Sequence, residues 1–267
     1  MAVKFEKNTF SKRIKSMLGV DFRRMLTSSI FYIMLGASFV MPILILVMTT
    51  MMDGSVSVNP QTGAETVIEG FKNVWQIIGS VSGGEQSMSM DITSMCNINM
   101  MFFIISIFVC IFVGEDFRSG YVKNLFTVRS KKDDYVLSKS VVCFIAGSCM
   151  IIAFFIGSMI GGAIAGLPFT LEGATGINVF MCLVSKVLLV GIFSSIYILA
   201  SVFAKQRLWL SLIMAFGIGM LMFMMIPIIT PLNSTIVNVL LCLIGSVLFS
   251  VGIGFGSKVI LDKSSLV

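Results

Sequence analysis

The chain has 267 residues, 57% hydrophobic and only 12% charged, whereas a soluble domain carries about 25% charged residues. A water-soluble fold of this length cannot hide that much apolar surface, so lipid is the expected solvent and an all-α integral membrane protein the expected fold. The net charge of +6 does not indicate nucleic acid: Lys and Arg cluster beside apolar runs, and no basic groove interleaved with aromatics is present.

The first 28 residues predict a cytoplasmic amphipathic helix. Phe10, Ile14, Met17, Leu18, Phe22, Met25 and Leu26 share one helical face, with Lys12, Arg13, Lys15, Arg23 and Arg24 largely on the other. That pattern suits a helix lying in the membrane interface. It serves either as an anionic-lipid anchor or as an elbow that also takes up force from a partner, with Phe10, Ile14, Leu18 and Phe22 as its candidate contacts. The first apolar run starts only at Ser29 and lacks a small-x-small exit, so it is expected to be a retained span rather than a cleaved signal peptide.

About 20 apolar residues cross about 30 Å of hydrocarbon. Residues 29–52, 92–114, 140–166 and 177–204 each suffice, the fourth interrupted by Lys186. Residues 208–257 are uncharged throughout and allow two more spans, 208–230 and 235–257, broken at Pro227, Pro231 and Asn233. The expected organisation is therefore an amphipathic helix over 1–28 and a six-span domain over 29–267, with a large outer loop over 53–91. Within that loop Val67, Ile68, Phe71, Val74, Trp75 and Ile78 recur at helical spacing behind a Thr66-x-x-Glu69 capping box, predicting a short helix packed on the outer face.

In a six-span topology, 17 of the 19 basic residues fall on one side: seven before Ser29, six over 115–139, then Lys205, Arg207, Lys258 and Lys263. The other side keeps Lys72 and the acids Asp53, Glu65, Glu69, Glu85, Asp91 and Glu172. The positive-inside rule then places both termini in the cytoplasm. Low charge and high Met and Phe content suit a bacterial plasma membrane.

Catalytic and redox chemistry find little support. The six cysteines form no C-x-x-C pair and the chain has no histidine, which argues against a zinc site, a disulfide framework or a histidine base. The expected spans contain no Asp, Glu or His, leaving Lys186 as the one ionisable group expected to be buried. Ion-driven pumps keep such groups within their spans, so energy is expected to arrive from outside the bilayer. The chain has no G-x-x-x-x-G-K-[ST] motif, which assigns nucleotide binding to a separate subunit.

The segment over 114–139 reads GEDFRSGYVKNLFTVRSKKDDYVLSK. Phe117, Tyr121, Val122, Leu125 and Phe126 can share one face of a short helix, and an exposed stripe of that kind lies on a membrane or docks into a partner's groove. Glu115, Gly120, Leu125, Arg129, Tyr135, Ser138 and Lys139 follow in order a pattern that joins spans two and three in the permeases of type-2 (ABC-2) ABC exporters. With the amino-terminal amphipathic helix, six spans and large outer loop, nearly the whole chain resembles that family. The resemblance implies a coupling helix over 116–128 seated in a cleft of an ATPase subunit, with Glu115, Asp116, Phe117, Gly120, Tyr121, Leu125 and Arg129 as coupling residues. It implies a complex of two ATPase subunits, which hold the ATP and Mg, and a second permease subunit. Spans two and five would lie near the junction, making Met100, Phe103, Phe216 and Met220 candidates for the shared surface.

Lys186 either snorkels to the interface or faces the translocation path. Gly157-x-x-x-Gly161 and Gly252-x-x-x-Gly256 allow close helix approach, within one subunit or between two. Flexible Met- and Phe-rich walls favour an amphipathic or antimicrobial peptide, or a lipophilic compound, over a sugar. The alternatives to an ATP-driven exporter are a non-transporting immunity or sensor protein that binds a peptide, a secondary transporter, and an intramembrane enzyme.

Overall fold

The computed structural model describes residues 10–58, 65–79, 96–128, 132–171, 173–223 and 225–263. Helix α1, Phe10–Thr27, meets α2, Ser29–Met52, at Ser28, whose extended backbone (φ −79°, ψ 120°) separates the two axes. A short hairpin follows, β1 at Val56–Val58 and β2 at Glu65–Val67, antiparallel with Val56 opposite Val67. Two single 3-10 turns, Val74–Ile77 and Ile98–Met100, precede α3, Met101–Arg118. Then come α4, Tyr121–Val128, α5, Lys132–Ala165, and α6, Gly176–Ala204. The last elements are α7, Leu208–Phe223, a four-residue turn of helix α8, Ile226–Ile229, and α9, Ile236–Lys263.

Among the described residues five helical segments are long and apolar enough to cross a membrane: Ser29–Met52, Ile98–Arg118, Lys132–Ala165, Gly176–Ala204 and Ile236–Lys263. The chain is thus a multi-pass membrane protein. The 16 residues of α7 extend only about 24 Å at 1.5 Å per residue, and α8 begins at Ile226. Helices α3 and α5 run beyond the ends assigned from sequence, at 114 and 140. The charges taken as span boundaries, Asp116 and Lys139, sit instead inside continuous helix with 0% of their surface exposed. Lys186 is therefore not the lone buried ionisable group: Asp21, Asp116, Asp134 and Lys139 are buried with it. Charge terminates a span in sequence only while it is unpaired, and these groups are paired.

The bundle has two distinct ends. One gathers α1, the end of α3, α4, the start of α5, the α6–α7 turn and the end of α9. Most of the basic residues lie there, so it is called here the basic end. The hairpin end holds β1–β2, the 3-10 turns, the α5–α6 connection and the α7–α9 break. α2 lies along α5, and α9 along α6. Gly157 and Gly161 make the first contact possible: a Cβ on Gly157 would meet the Phe39 carbonyl, and one on Gly161 would stand 2.7 Å from Ile43 Cα. This glycine pair packs within one chain. Gly252 faces open space, and a Cβ on Gly256 would meet only Leu199 at 3.9 Å.

The helix expected behind Thr66-x-x-Glu69 does not form. Backbone groups there serve cross-strand bonds, with Ile68 N–H donating to the Ser55 carbonyl (2.9 Å) and Gly54 N–H to the Ile68 carbonyl (3.0 Å). Gly70 N–H donates to Asp53 Oδ1 (2.8 Å). Only one turn, 74–77, stays helical, started by Asn73 accepting from Trp75 N–H. Phe71, Val74, Ile77 and Ile78 are buried nonetheless. The segment is fixed to the α5–α6 connection by Trp75 Nε1–H donating to the Phe169 carbonyl (3.0 Å) and Asn73 Nδ2–H to that of Thr170. The apolar periodicity thus marked burial at Phe71, Val74 and Ile78 but not at Val67, which is 61% exposed, and helix wrongly.

Candidate coupling site at the basic end

Four charged side chains from three helices meet inside the basic end. Lys139 of α5 places Nζ 2.8 Å from Asp21 Oδ1 of α1 and 2.7 Å from Asp116 Oδ2 of α3. Arg24, one turn after Asp21, reaches Asp116 Oδ1 at 2.6 Å. Two hydroxyls of α5 complete the carboxylates: Ser138 Oγ–H donates to Asp21 Oδ2 (2.6 Å) and Tyr135 O–H to Asp116 Oδ2 (3.0 Å). Two acids and two bases sum to zero charge, which is how such a group survives burial: each charge keeps a partner and each carboxylate has further donors.

Local sequence explains the convergence. Tyr135, Ser138 and Lys139 sit at i, i+3 and i+4, one face of α5. Asp21 lies on the buried stripe of α1, one turn from Met17 and one turn from Met25, both buried. Aromatic rings enclose the cations: Lys139 Nζ lies 4.2 Å from the Phe112 ring centre, and the Arg24 guanidinium 4.4 Å from that of Tyr121. Through Tyr121 the cluster touches α4, so α1, α3, α4 and α5 share it. Burial alone would lower the Arg24 pKa, yet the adjacent Asp116 carboxylate outweighs it and raises the guanidinium above its ordinary value. Burial, with Asp21 nearby, raises the Tyr121 phenol. Both groups keep a fixed charge across physiological pH.

A second tier of ion pairs ties the same end together. Arg13 Nε reaches Asp134 Oδ2 at 2.9 Å, Lys258 reaches Asp133 at 3.0 Å, and Lys132 reaches Asp262 at 3.2 Å. Helices α1 and α9 are thereby joined to the first turn of α5.

The expected coupling residues divide. A single helix over 116–128 does not exist: α3 continues to Arg118, and Gly120, at φ +73°, turns the chain before α4 starts at Tyr121. Asp116 and Phe117 are buried in α3, Asp116 as a member of the cluster. Glu115 is exposed and 3.9 Å from Arg118. The aromatic stripe is turned inward. Val122 is buried, Tyr121 and Leu125 are half-buried, and Phe126 packs edge-on against Tyr135 with ring centres 5.7 Å apart. The stripe therefore finds its groove in its own chain, and the open face of α4 presents Lys123, Asn124 and Thr127. Arg129 lies outside the described residues. Of the α1 face, Ile14, Leu18 and Phe22 are half-buried and Phe10 is 57% exposed.

At the hairpin end Lys186 does not snorkel. It is fully buried and donates to Asn99 Oδ1 (2.7 Å), at the start of the second passage, and to Thr230 Oγ1 (3.0 Å), at the α8–α9 break. Helical side chains lean toward their own N-terminus, which directs this ammonium to the hairpin end. Phe103 stacks on Phe216 within the chain, ring centres 5.5 Å apart, while Met100 is half-buried and Met220 is 65% exposed.

Sequence reasoning missed Asp21 and Arg24 as cluster members. The usable signal was an acid on the apolar face of α1, where a solvent-facing residue has no reason to be.

No curated protein and no solved structure matches the chain. A family model described as ABC-2 family transporter protein matches residues 21–222, from the cluster's Asp21 to near the end of α7. The chain therefore belongs to the ABC-2 transporter family and is a transmembrane permease of the ABC type.

Proposed function

We propose that this permease is the membrane half of an ATP-driven exporter, working in a bacterial plasma membrane with both termini in the cytoplasm. Two copies of a separate ATPase subunit hold the ATP and Mg, and a second permease subunit, identical or related, completes the pathway. The family implies association with an ABC ATPase; the numbers of subunits, the export direction and the cargo belong to this proposal. Six crossings are assigned, the fifth formed by α7 and α8. The cargo class is an amphipathic peptide or lipophilic compound, since no fixed array of polar groups suited to a sugar lines the described spans.

The neutral cluster of Asp21, Arg24, Asp116 and Lys139 carries the reading. Force applied to α1 reaches the ends of α3 and α5 through short ion pairs, and force applied to α4 through the Tyr121 ring against Arg24 and Phe126 against Tyr135. α4 meets the ATPase through Asn124 and Thr127, with Glu115 beside it; Tyr121, Leu125 and Phe117 hold it to the bundle. α1 acts as the elbow, its Phe10 and basic face on inner-leaflet lipid. The Lys186, Asn99 and Thr230 bonds close the outer end, and Met100, Phe103, Phe216 and Met220 lie toward the second subunit.

The test uses the permease purified with its ATPase and reconstituted. Asn124→Trp together with Thr127→Trp is expected to cut coupled hydrolysis about tenfold, the scale of an interface hot spot. Unchanged hydrolysis would reject α4 as the docking element. Uphill solute accumulation by the permease alone, without nucleotide, would reject the ATP-driven reading itself.

A further inference from the structure

A cavity of about 490 Å³ opens beside α4, lined by Phe117, Val122, Lys123, Phe203, Lys205 and Arg207 among others. Its cationic wall is held by an unusual turn. Lys205 adopts φ +54°, a left-handed conformation rare outside glycine. Lys205 N–H donates to the Ser201 carbonyl (2.9 Å) and Arg207 N–H to that of Ala204 (3.1 Å). Among the described residues Lys123, Lys205 and Arg207 have no carboxylate at ion-pair distance.

A second hollow of about 600 Å³ shares Gln206, Arg207 and Leu210 with the first and continues over Leu208, Trp209 and Ile213. Arg118, 3.9 Å from Glu115, also lines it, and its apolar side faces outward: Trp209 is 82% and Ile213 66% exposed. Three unpaired cations thus stand directly above an apolar trough, with a tryptophan at the boundary where such rings settle in bilayers.

We propose that this paired hollow is a binding site for an anionic glycerophospholipid of the inner leaflet, its phosphate among Lys123, Lys205 and Arg207 and its acyl chains along Phe203, Leu210 and Ile213. A partner protein would match the cations but not the trough, which opens toward hydrocarbon. Phosphate binding in basic recesses between spans is favoured by about fivefold per cation near an anionic surface. The site rests on the inward placement of the α6–α7 turn assigned above. Its apolar end at Ile213 lies less than one helical turn from Phe216, so a lipid seated there borders the face of α7 assigned to the second subunit.

The test compares lipid retained by the purified permease, read by native mass spectrometry after exchange into phosphatidylglycerol or phosphatidylcholine micelles. The intact chain is expected to retain phosphatidylglycerol in preference, and K123Q/K205Q/R207Q to lose that preference by tenfold or more, while the hairpin-end variant K72Q keeps it. Equal preference in the pocket variant overturns the site. So does displacement of the lipid by inorganic phosphate or glycerophosphate, which would identify a free-anion site. So does a photo-crosslinker at Gln206 capturing the ATPase instead of lipid in the assembled complex. Thiol labelling of Gln206→Cys in sealed vesicles separates the two readings. Labelling from outside alone overturns the topology and the inner-leaflet placement together, whereas inside labelling with no lipid preference overturns the lipid site only.

Discussion

The two ends of the bundle bury charge in opposite ways. At the basic end, two lysine and arginine cations meet two carboxylates, and hydroxyls of Ser138 and Tyr135 complete the set. At the hairpin end, Lys186 is equally buried and among the described residues meets the neutral oxygens of Asn99 and Thr230 and no carboxylate. A neutral, mutually paired cluster resists change because removing any member strands another charge in a low-dielectric interior. A cation held by dipoles leaves only polar groups behind when it goes, so its bonds can break and re-form at modest cost. One arrangement suits transmission of force, the other a contact that opens.

Three substitutions test that contrast. Lys139→Met should be the most damaging, because it leaves Asp21 and Asp116 facing each other without their shared cation; a loss of about 3–5 kcal/mol is expected, read as a collapse of the melting temperature in detergent. Survival of the Lys139→Met protein at near-parental stability would refute a stabilising network. Lys186→Met should stay within about 2 kcal/mol of the parent. Relief of the insertion cost of a mid-span lysine, about 2.5–3.5 kcal/mol, offsets the unmet acceptors on Asn99 and Thr230 at about 1–3 kcal/mol each. Transport should change in Lys186→Met while Lys186→Gln, which can still donate, retains more; identical transport in both would reduce Lys186 to a packing residue. Lys258→Gln, which removes the exposed pair with Asp133, should cost under about 0.5 kcal/mol and calibrates the other two measurements.

Much of the fold could be read from apolar run length. The second and fourth expected spans illustrate how differently boundaries fared: 177–204 lies within one residue of α6, whereas 92–114 begins with residues outside the described set and stops short of Arg118. Run length finds a span, but charge was taken as its limit, and Asp116 and Lys139 break that rule because each has a partner far away in sequence. Asp21 and Lys139 are 118 residues apart, a separation no periodic pattern reports. The same limitation hid the fate of the aromatic stripe on α4. Its amphipathic pattern was correct, yet periodicity cannot say whether a groove belongs to a partner or to α3 and α5 of the same chain. In the 65–79 segment, burial without helix had the same origin, since cross-strand bonds to Ser55 and Gly54 outcompeted a local capping box.

The glycine contact between α2 and α5 bears on how the bundle can rearrange. Two helices whose backbones touch at Gly157 and Gly161 have no side-chain layer between them to act as a slip plane. The α6–α9 contact is similarly close: a Cβ on Gly191 would overlap Ser246, and Ser250 Oγ–H donates to the Gly191 carbonyl at 3.3 Å. Each pair therefore behaves as one plank, and sliding within it would force atoms through one another. Across the seam between the planks side chains meet rather than backbones, and the Lys132–Asp262 and Lys258–Asp133 pairs tie its basic end. Alternation of access is therefore cheapest as a scissoring of the α2–α5 plank against the α6–α9 plank about that tied end.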